Sequence, residues 1–265
     1  MAGAAFALLG VAGCDRNAGH SKTEESSAER VAEALDPCGE GRGAFAQRIC
    51  QNTQLAALDG EVRDALVAES ASVSDAGAQM LVQNQRRWRE AQRIACGIID
   101  PDAEPSADQQ ACLESEFRAR LRDAAQAVQE VGGYTFQRME LVDATPVTAE
   151  IASSTGLGDA APPAVVRDIR FPRIDGPQTP QVQRFNELVA QQPQFRLEDA
   201  TSEAVDYTIA YAGLELISVR FDMSSDTPGA AHPNNTLARR HRADGRGPGA
   251  DGRGCSGPIP AGSVS

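Results

Sequence analysis

Apolar residues recur at helical spacing through the first half of the chain. Leu81, Trp88, Ala91 and Ala95 share one face at steps that fit 3.6 residues per turn, which predicts a helix around Gln85–Cys96 with the indole buried. Arg86, Arg87, Arg89 and Arg93 take the other faces and read as a solvated surface laced with acidic partners. After Cys50, Leu55, Leu58, Val62 and Leu66 form a second stripe that runs to about Glu69, with Asn52 or Thr53 as its cap. Ser106 caps a third segment carrying Cys112, Leu113, Phe117, Leu121 and Val128, which Val131-Gly132-Gly133 ends. Three helices with short links predict a small bundle.

Beyond Gln129 the pattern changes. Tyr134 to Val142 alternates only loosely, through Phe136, Met139 and Leu141, as a connecting strand or a fraying extension would. Ser153-Ser154-Thr155-Gly156 and Ala160-Ala161-Pro162-Pro163 mark a linker and a domain boundary. Val165–Ile174 reads as a strand with Pro172 at a sheet edge. Pro180–Gln192 reads as a short helix burying Val182, Phe185, Leu188 and Val189. Ala204–Tyr211 and Leu214–Phe221, split by Ala212-Gly213, predict a hairpin, and the unit as a whole is α+β. From Leu237 the periodicity vanishes into Gly/Arg-rich sequence that offers little to bury.

Asp36, Cys38, Ile49-Cys50 and Leu55-Ala56-Ala57-Leu58-Asp59, then Gln85, Trp88 and Cys96, then Cys112-Leu113, Phe117 and Arg120, follow the order of the LprI lysozyme-inhibitor family. The region from 36 to 130 resembles that family's small secreted helical domain. The resemblance implies a binder of lysozyme with Trp88, Leu55, Leu58 and Phe117 in its core. Two positions depart from the pattern: Gln92 stands where members carry an arginine, and Phe117 stands where a tyrosine is usual. The second unit resembles, over Phe171-Pro172-Arg173-Ile174, Phe185-Asn186, Leu216–Val219 and Pro228–Asn234, the start of the extracytoplasmic domain of RsiV-type anti-sigma factors, which is also associated with lysozyme. His232 in that stretch reads as a turn residue bonding to backbone rather than a catalytic base.

The cysteines bear on the compartment. Setting aside Cys14 and Cys255 leaves Cys38, Cys50, Cys96 and Cys112, an even number suited to a disulfide framework with three possible connectivities. Cys38 with Cys50 and Cys96 with Cys112 is the expected pairing, because each pair brackets a short loop at helix ends. Cys14 closes Val11-Ala12-Gly13-Cys14, which resembles a lipobox, although the leader lacks a basic n-region. Lipidation of Cys14 is the expectation, and an early cysteine in an apolar leader is the plainer alternative.

The organisation expected is therefore a leader and lipobox at 1–14, a flexible tether at 15–35, the helical domain at 36–130, a connector at 131–163, a partial α+β domain at 164–236 and a disordered tail at 237–265. In fold class this is a mainly α, disulfide-stapled domain followed by a small, incomplete α+β domain.

Charge narrows the partners. A net charge of −12 over 265 residues by itself only favours solubility, and it becomes informative beside the resemblance, since lysozymes are generally basic; nucleic acid is set aside because a lipoprotein outside the cytoplasm rarely meets it. No His-Glu-x-x-His, Gly-x-Ser-x-Gly or phosphate-binding loop is present, and no Cys-x-x-Cys pair suggests a metal. No catalytic residue, cofactor or metal ligand is therefore assigned. The reading is a lipid-anchored periplasmic or cell-surface protein that inhibits lysozyme-like hydrolases; a sensor or adaptor using the same domains for another ligand is the alternative. A wall-acting enzyme lacking its catalytic part stands well behind both.

Overall fold

A computed structural model describes residues 26–191, 201–227 and 233–243. Cys14, the leader, the tether up to residue 25, His232 and everything from residue 244 lie outside the described residues.

The helices begin where short polar side chains can occupy free amides. Ser26 and Glu29 form a capping box for α1 (Ser27–Leu35), and Ser106 and Gln109 form another for α5 (Ala107–Ala124). Between them lie α2 (Ala44–Gln51), α3 (Thr53–Ser70) and α4 (Asp75–Ala95), with Asn52 accepting from the Gln54 and Leu55 amides to start α3. One apolar core joins them, and Leu35, Ile49, Leu66, Leu81 and Leu113 are among its most deeply buried members. Leu55, Trp88 and Phe117 are buried in it and Leu58 is half-buried against it. The Trp88 and Phe117 rings meet edge to face at 5.0 Å, the geometry the aromatic quadrupole favours. Two disulfides staple the layer, Cys38–Cys50 with Cα atoms 5.3 Å apart and Cys96–Cys112 with Cα atoms 5.7 Å apart.

The rest of the chain builds one six-stranded sheet in the order β1 (Val128–Val131), β2 (Tyr134–Pro146), β3 (Ala164–Ile174), β4 (Ser202–Ala212), β5 (Leu216–Asp226) and β6 (Asn234–Ala243). Neighbours are antiparallel except β3 and β4, which are parallel and joined by a crossover containing α7 (Pro180–Ala190). A short helix α6 (Ala149–Ser154) and a 3-10 turn (Gly158–Ala160) lie between β2 and β3. Phe136, Ile169, Ile174, Val205 and Phe221 from the strands and Phe185 and Val189 from α7 make a second core.

The chain is thus mixed α/β, and several expectations change. The tether at 15–35 contains α1, whose Val31 and Leu35 enter the helical core. The third helix stops at Ala124, and Val128 instead opens β1. Gly132 and Gly133, at φ of 60° and 81°, form a two-residue hairpin turn that residues bearing a Cβ seldom adopt. The connector at 131–163 supplies β2, which pairs with β3 from Phe136–Ile174 to Pro146–Ala164, so it joins partners in one sheet and is no domain boundary. The α+β unit at 164–236 is incomplete only because β1, β2 and most of β6 lie outside those bounds. The tail at 237–265 contributes Leu237–Ala243 to β6, whose backbone pairs with β5 from Asn234–Ser225 to Ala243–Leu216. Pro172 lies in β3 past Ile169, where the pairing with β4 ends, so its missing N–H costs no ladder bond there.

Helix α4 positions the two layers. β1 pairs with β2 only as far as Gln137, and the next outward carbonyls of β2 take side chains of α4 instead of a strand. Asn84 donates to the Arg138 carbonyl at 2.9 Å and Arg87 to the Glu140 carbonyl at 2.5 Å, while Gln137 donates to the Gly77 carbonyl at 2.7 Å. A strand edge that would otherwise invite another chain is covered by the helix. At the start of α4, Asp175 accepts from the Ser74 amide at 2.5 Å and from its hydroxyl at 2.8 Å, fixing that end to the sheet.

Candidate functional site

Three places in the fold concentrate polar chemistry. The first is a buried ionic seam between α5 and the sheet. Arg120, only 3 % exposed, donates to Gln85 Oε1 and to Glu140 Oε1, both at 2.8 Å, and its guanidinium lies 5.4 Å from the centre of the Trp88 ring. Asp123 approaches Arg138 at 3.5 Å and Arg170 at 3.1 Å, and Arg170 grips Asp168 through two bonds at 3.0 and 2.7 Å. Burial opposes the Glu140 carboxylate, yet Arg120, Arg170 and Arg138 together hold its pKa below the usual value. Burial pushes Glu116 up, and the neighbouring Asp168 charge adds to that rise. The pairing of guanidinium with carboxylate makes the seam a latch between layers, because removing either partner strands a buried charge.

The second place is the loop bracketed by Cys96–Cys112. Arg93 donates to the carbonyls of Ile98 and Ile99 and to Glu90. From the other side Arg48 donates to the Asp102 carbonyl at 2.7 Å and to Glu104 at 2.8 Å. Together with the disulfide these bonds hold a loop on which Ile99, Asp100, Asp102 and Glu104 are exposed, with Asp108 exposed at the start of α5. The loop offers a fixed, acidic surface with one apolar side chain.

The third is a cavity of about 610 Å³ at one end of the sheet, walled by the β1–β2 turn, the end of β3, the start of α7 and the β4–β5 turn. A Cβ at Gly132 would come 2.1 Å from the Ala212 carbonyl oxygen, so the two turns abut so closely that only glycine fits. Phe185, Ile174, Ile217 and Tyr134 line the cavity, and Leu214, 86 % exposed, stands at its mouth.

The residues singled out from the sequence fall mostly outside these places. Trp88 touches the seam through Arg120, and Cys96 and Cys112 anchor the loop, whereas Leu55, Leu58 and Phe117 belong to the helical core and Cys38 and Cys50 staple its far side. The arginine face of α4 is not a solvated surface throughout. Arg89 is buried in a two-bond pair with Asp59, itself 0 % exposed, and Arg93 is buried against the loop carbonyls. Asp59 lies on the same stripe as Leu55, Val62 and Leu66, and a carboxylate at an apolar position was the signal for that pair. Among the described residues, no group of three or more His, Cys, Asp or Glu side chains could hold a metal ion, and no helix is long and apolar enough to cross a membrane.

No family model, curated protein or solved structure matches the chain.

Proposed function

We propose that this chain is an exported binding protein of the bacterial cell envelope, held to a membrane through a lipid on Cys14, that engages and inhibits a basic, lysozyme-like cell-wall hydrolase. The observation that carries this reading is the acidic loop between Cys96 and Cys112. Its backbone is fixed by a disulfide and by Arg93 and Arg48, so it meets a partner at little ordering cost. Exposed carboxylates at Asp100, Asp102, Glu104 and Asp108 suit a basic partner, and a net charge of −12 would speed the encounter. Two disulfides favour an oxidising compartment, where nucleic acid is not the expected partner. The sequence resemblance supplies the identity of the hydrolase.

The test is lysis of a bacterial suspension by a basic lysozyme at moderate salt. The whole chain is used because α4 and α5 pack on the sheet through buried polar contacts. Inhibition beyond that of an unrelated protein of equal charge supports the proposal, since bare charge attraction fades within a Debye length of about 8 Å at physiological salt. Inhibition equal to the control's reduces it to electrostatics. No inhibition favours the sensor or adaptor reading.

A further inference from the structure

We propose that the cavity at the end of the sheet is a binding site for a neutral saccharide. Its volume of about 610 Å³ falls within the range of formed ligand sites, roughly 300 to 1,000 Å³, and takes two or three sugar rings rather than an extended polymer. The inference goes beyond the proposed inhibition of a hydrolase and stands on different residues.

The chemistry of the walls selects the ligand class. Among the described residues, the one charged side chain that lines the cavity is Asp175, and its carboxylate is already committed: Arg173 donates to it at 2.7 Å and Ser74 donates twice. Burial works against that carboxylate, but these bonds hold its pKa below the usual value, so it stays ionised and paired. The described walls therefore present no uncompensated charge to an occupant, which disfavours anionic and cationic ligands alike. What the cavity does present is an aromatic wall and a set of neutral hydrogen-bonding groups. Tyr134, Phe136 and Phe185 form a chain of rings with centres 6.0 and 5.9 Å apart, which fixes the orientation of the two that line the cavity. Thr135, Thr179 and the exposed Gln181 amide bring hydroxyl and amide groups to the same space. Thr135 donates to Glu130 and Thr179 accepts from the Val182 amide, and each hydroxyl keeps capacity for one more bond.

A purely apolar ligand would leave the remaining capacity of the two hydroxyls and the Gln181 amide unused, and a charged one would find no counter-charge. A sugar ring has an apolar face for Tyr134 and Phe185 and a rim of hydroxyls for the threonines and Gln181. The walls are also set in place before any ligand arrives. Gly132 wedges against the Ala212 carbonyl, and Asn186 of α7 exchanges bonds with the Ile174 amide at 2.8 Å and its carbonyl at 3.1 Å, so turn, strand and helix are fixed to one another.

The experiment is a titration of the full chain, followed by backbone amide shifts, with two neutral probes: the trimer of N-acetylglucosamine, which carries acetamido groups and no carboxylate, and maltotriose, a glucose trimer without acetamido groups. Phenol serves as a small apolar control. The expected result is saturable binding of at least one trimer, with shifts concentrated at Gly133, Thr135, Thr179, Gln181 and Leu214. Gln181→Trp adds an indole from an exposed position of the wall and is expected to weaken that binding about tenfold or more. Its own unperturbed spectrum elsewhere reports that the fold is kept. Preference for the acetamido trimer assigns the site to acetamido sugars, and equal binding of both trimers assigns it to neutral sugars in general. Shifts elsewhere, binding indifferent to Gln181→Trp, binding of phenol without either sugar, or no binding would each overturn the proposal.

Discussion

Arg120 Nη1 and Glu140 Oε1 stand 2.8 Å apart with both side chains buried, the one ion pair among the described residues that joins α5 to β2 out of reach of water. Arg170 and Arg138 add to the field at Glu140, and Arg120 is the side chain that bonds it. Gln85 takes the Arg120 Nε, and Glu140 Oε2 and Gln85 Nε2 find no partner among the protein atoms.

Replacing Glu140 by Gln should lower stability by the smaller end of about 3 to 5 kcal/mol, since the amide keeps an acceptor but leaves Arg120 buried without its counter-charge. The pH profile gives a sharper reading. The native Glu140 pKa lies below its ordinary 4.5, so the native state binds fewer protons than the unfolded one. Its stabilising contribution is therefore full above 4.5 and is lost as pH falls through the lowered native value. Thermal unfolding between neutral pH and strong acid should show a shallower acid decline in Glu140→Gln than in the wild type.

Asp59→Ala should cost about 3 to 5 kcal/mol in urea unfolding, because Arg89 would remain buried with only the Leu35 carbonyl to accept from it. Replacing both members, as Asp59→Leu with Arg89→Met, should recover much of that loss. A double variant as unstable as the single one would show that the pair is not the source.

Cys96→Ser with Cys112→Ser should lower stability by roughly 3 kcal/mol in the chain-entropy model and should speed amide exchange across residues 97 to 106. If the loop carries binding, inhibition of lysozyme should weaken more than the loss of stability alone explains. An unchanged inhibition in a folded variant would move the contact elsewhere.

Gly132→Ala combines a positive φ with an overlap against main chain, and neither can relax through a side-chain rotation. A loss of about 2 kcal/mol or more is expected. Gly133→Ala shares the positive φ but meets nothing within 4 Å, so it should cost less; denaturation of the two variants side by side separates strain from collision.

Ending the chain after Thr227 removes β6 and uncovers the hydrogen-bonding edge of β5 along its full length. Lower thermal stability and concentration-dependent association in light scattering are the expected outcomes. Unchanged unfolding would mean that β6 adds nothing to the sheet.

The helices were legible wherever a cap preceded an apolar stripe: Asn52 before Leu55, Ser106 before Leu113. The same signal stood before α1, in Ser26 and Glu29 with Val31 and Leu35 behind them, but the acidic composition around it masked the stripe. β2 was harder to read for a physical reason. Its buried positions include Gln137, Arg138 and Glu140, which are accommodated by Gly77, Asp123 and Arg120 from distant helices. Alternation of polarity cannot reveal a strand whose inward side chains are themselves charged. The hairpin β4–β5 was visible from Ala212-Gly213, yet Leu214 turned out to stand at the cavity mouth rather than in a strand, and nothing local distinguishes those two fates. The cavity gathers residues from both ends of the sheet sequence, and no spacing along the chain announces it.

The cover that α4 places over β2 also has a direction in time. The helix precedes the strand in the sequence, so in a chain that emerges N-terminus first the residues of the screen are available before those of the edge that needs screening. Had the order been reversed, every growing chain would spend an interval with bare carbonyls at Arg138 and Glu140, open to the same strand on its neighbours. The succession of the two elements thus shortens the interval in which that edge stands bare, compared with the reverse order.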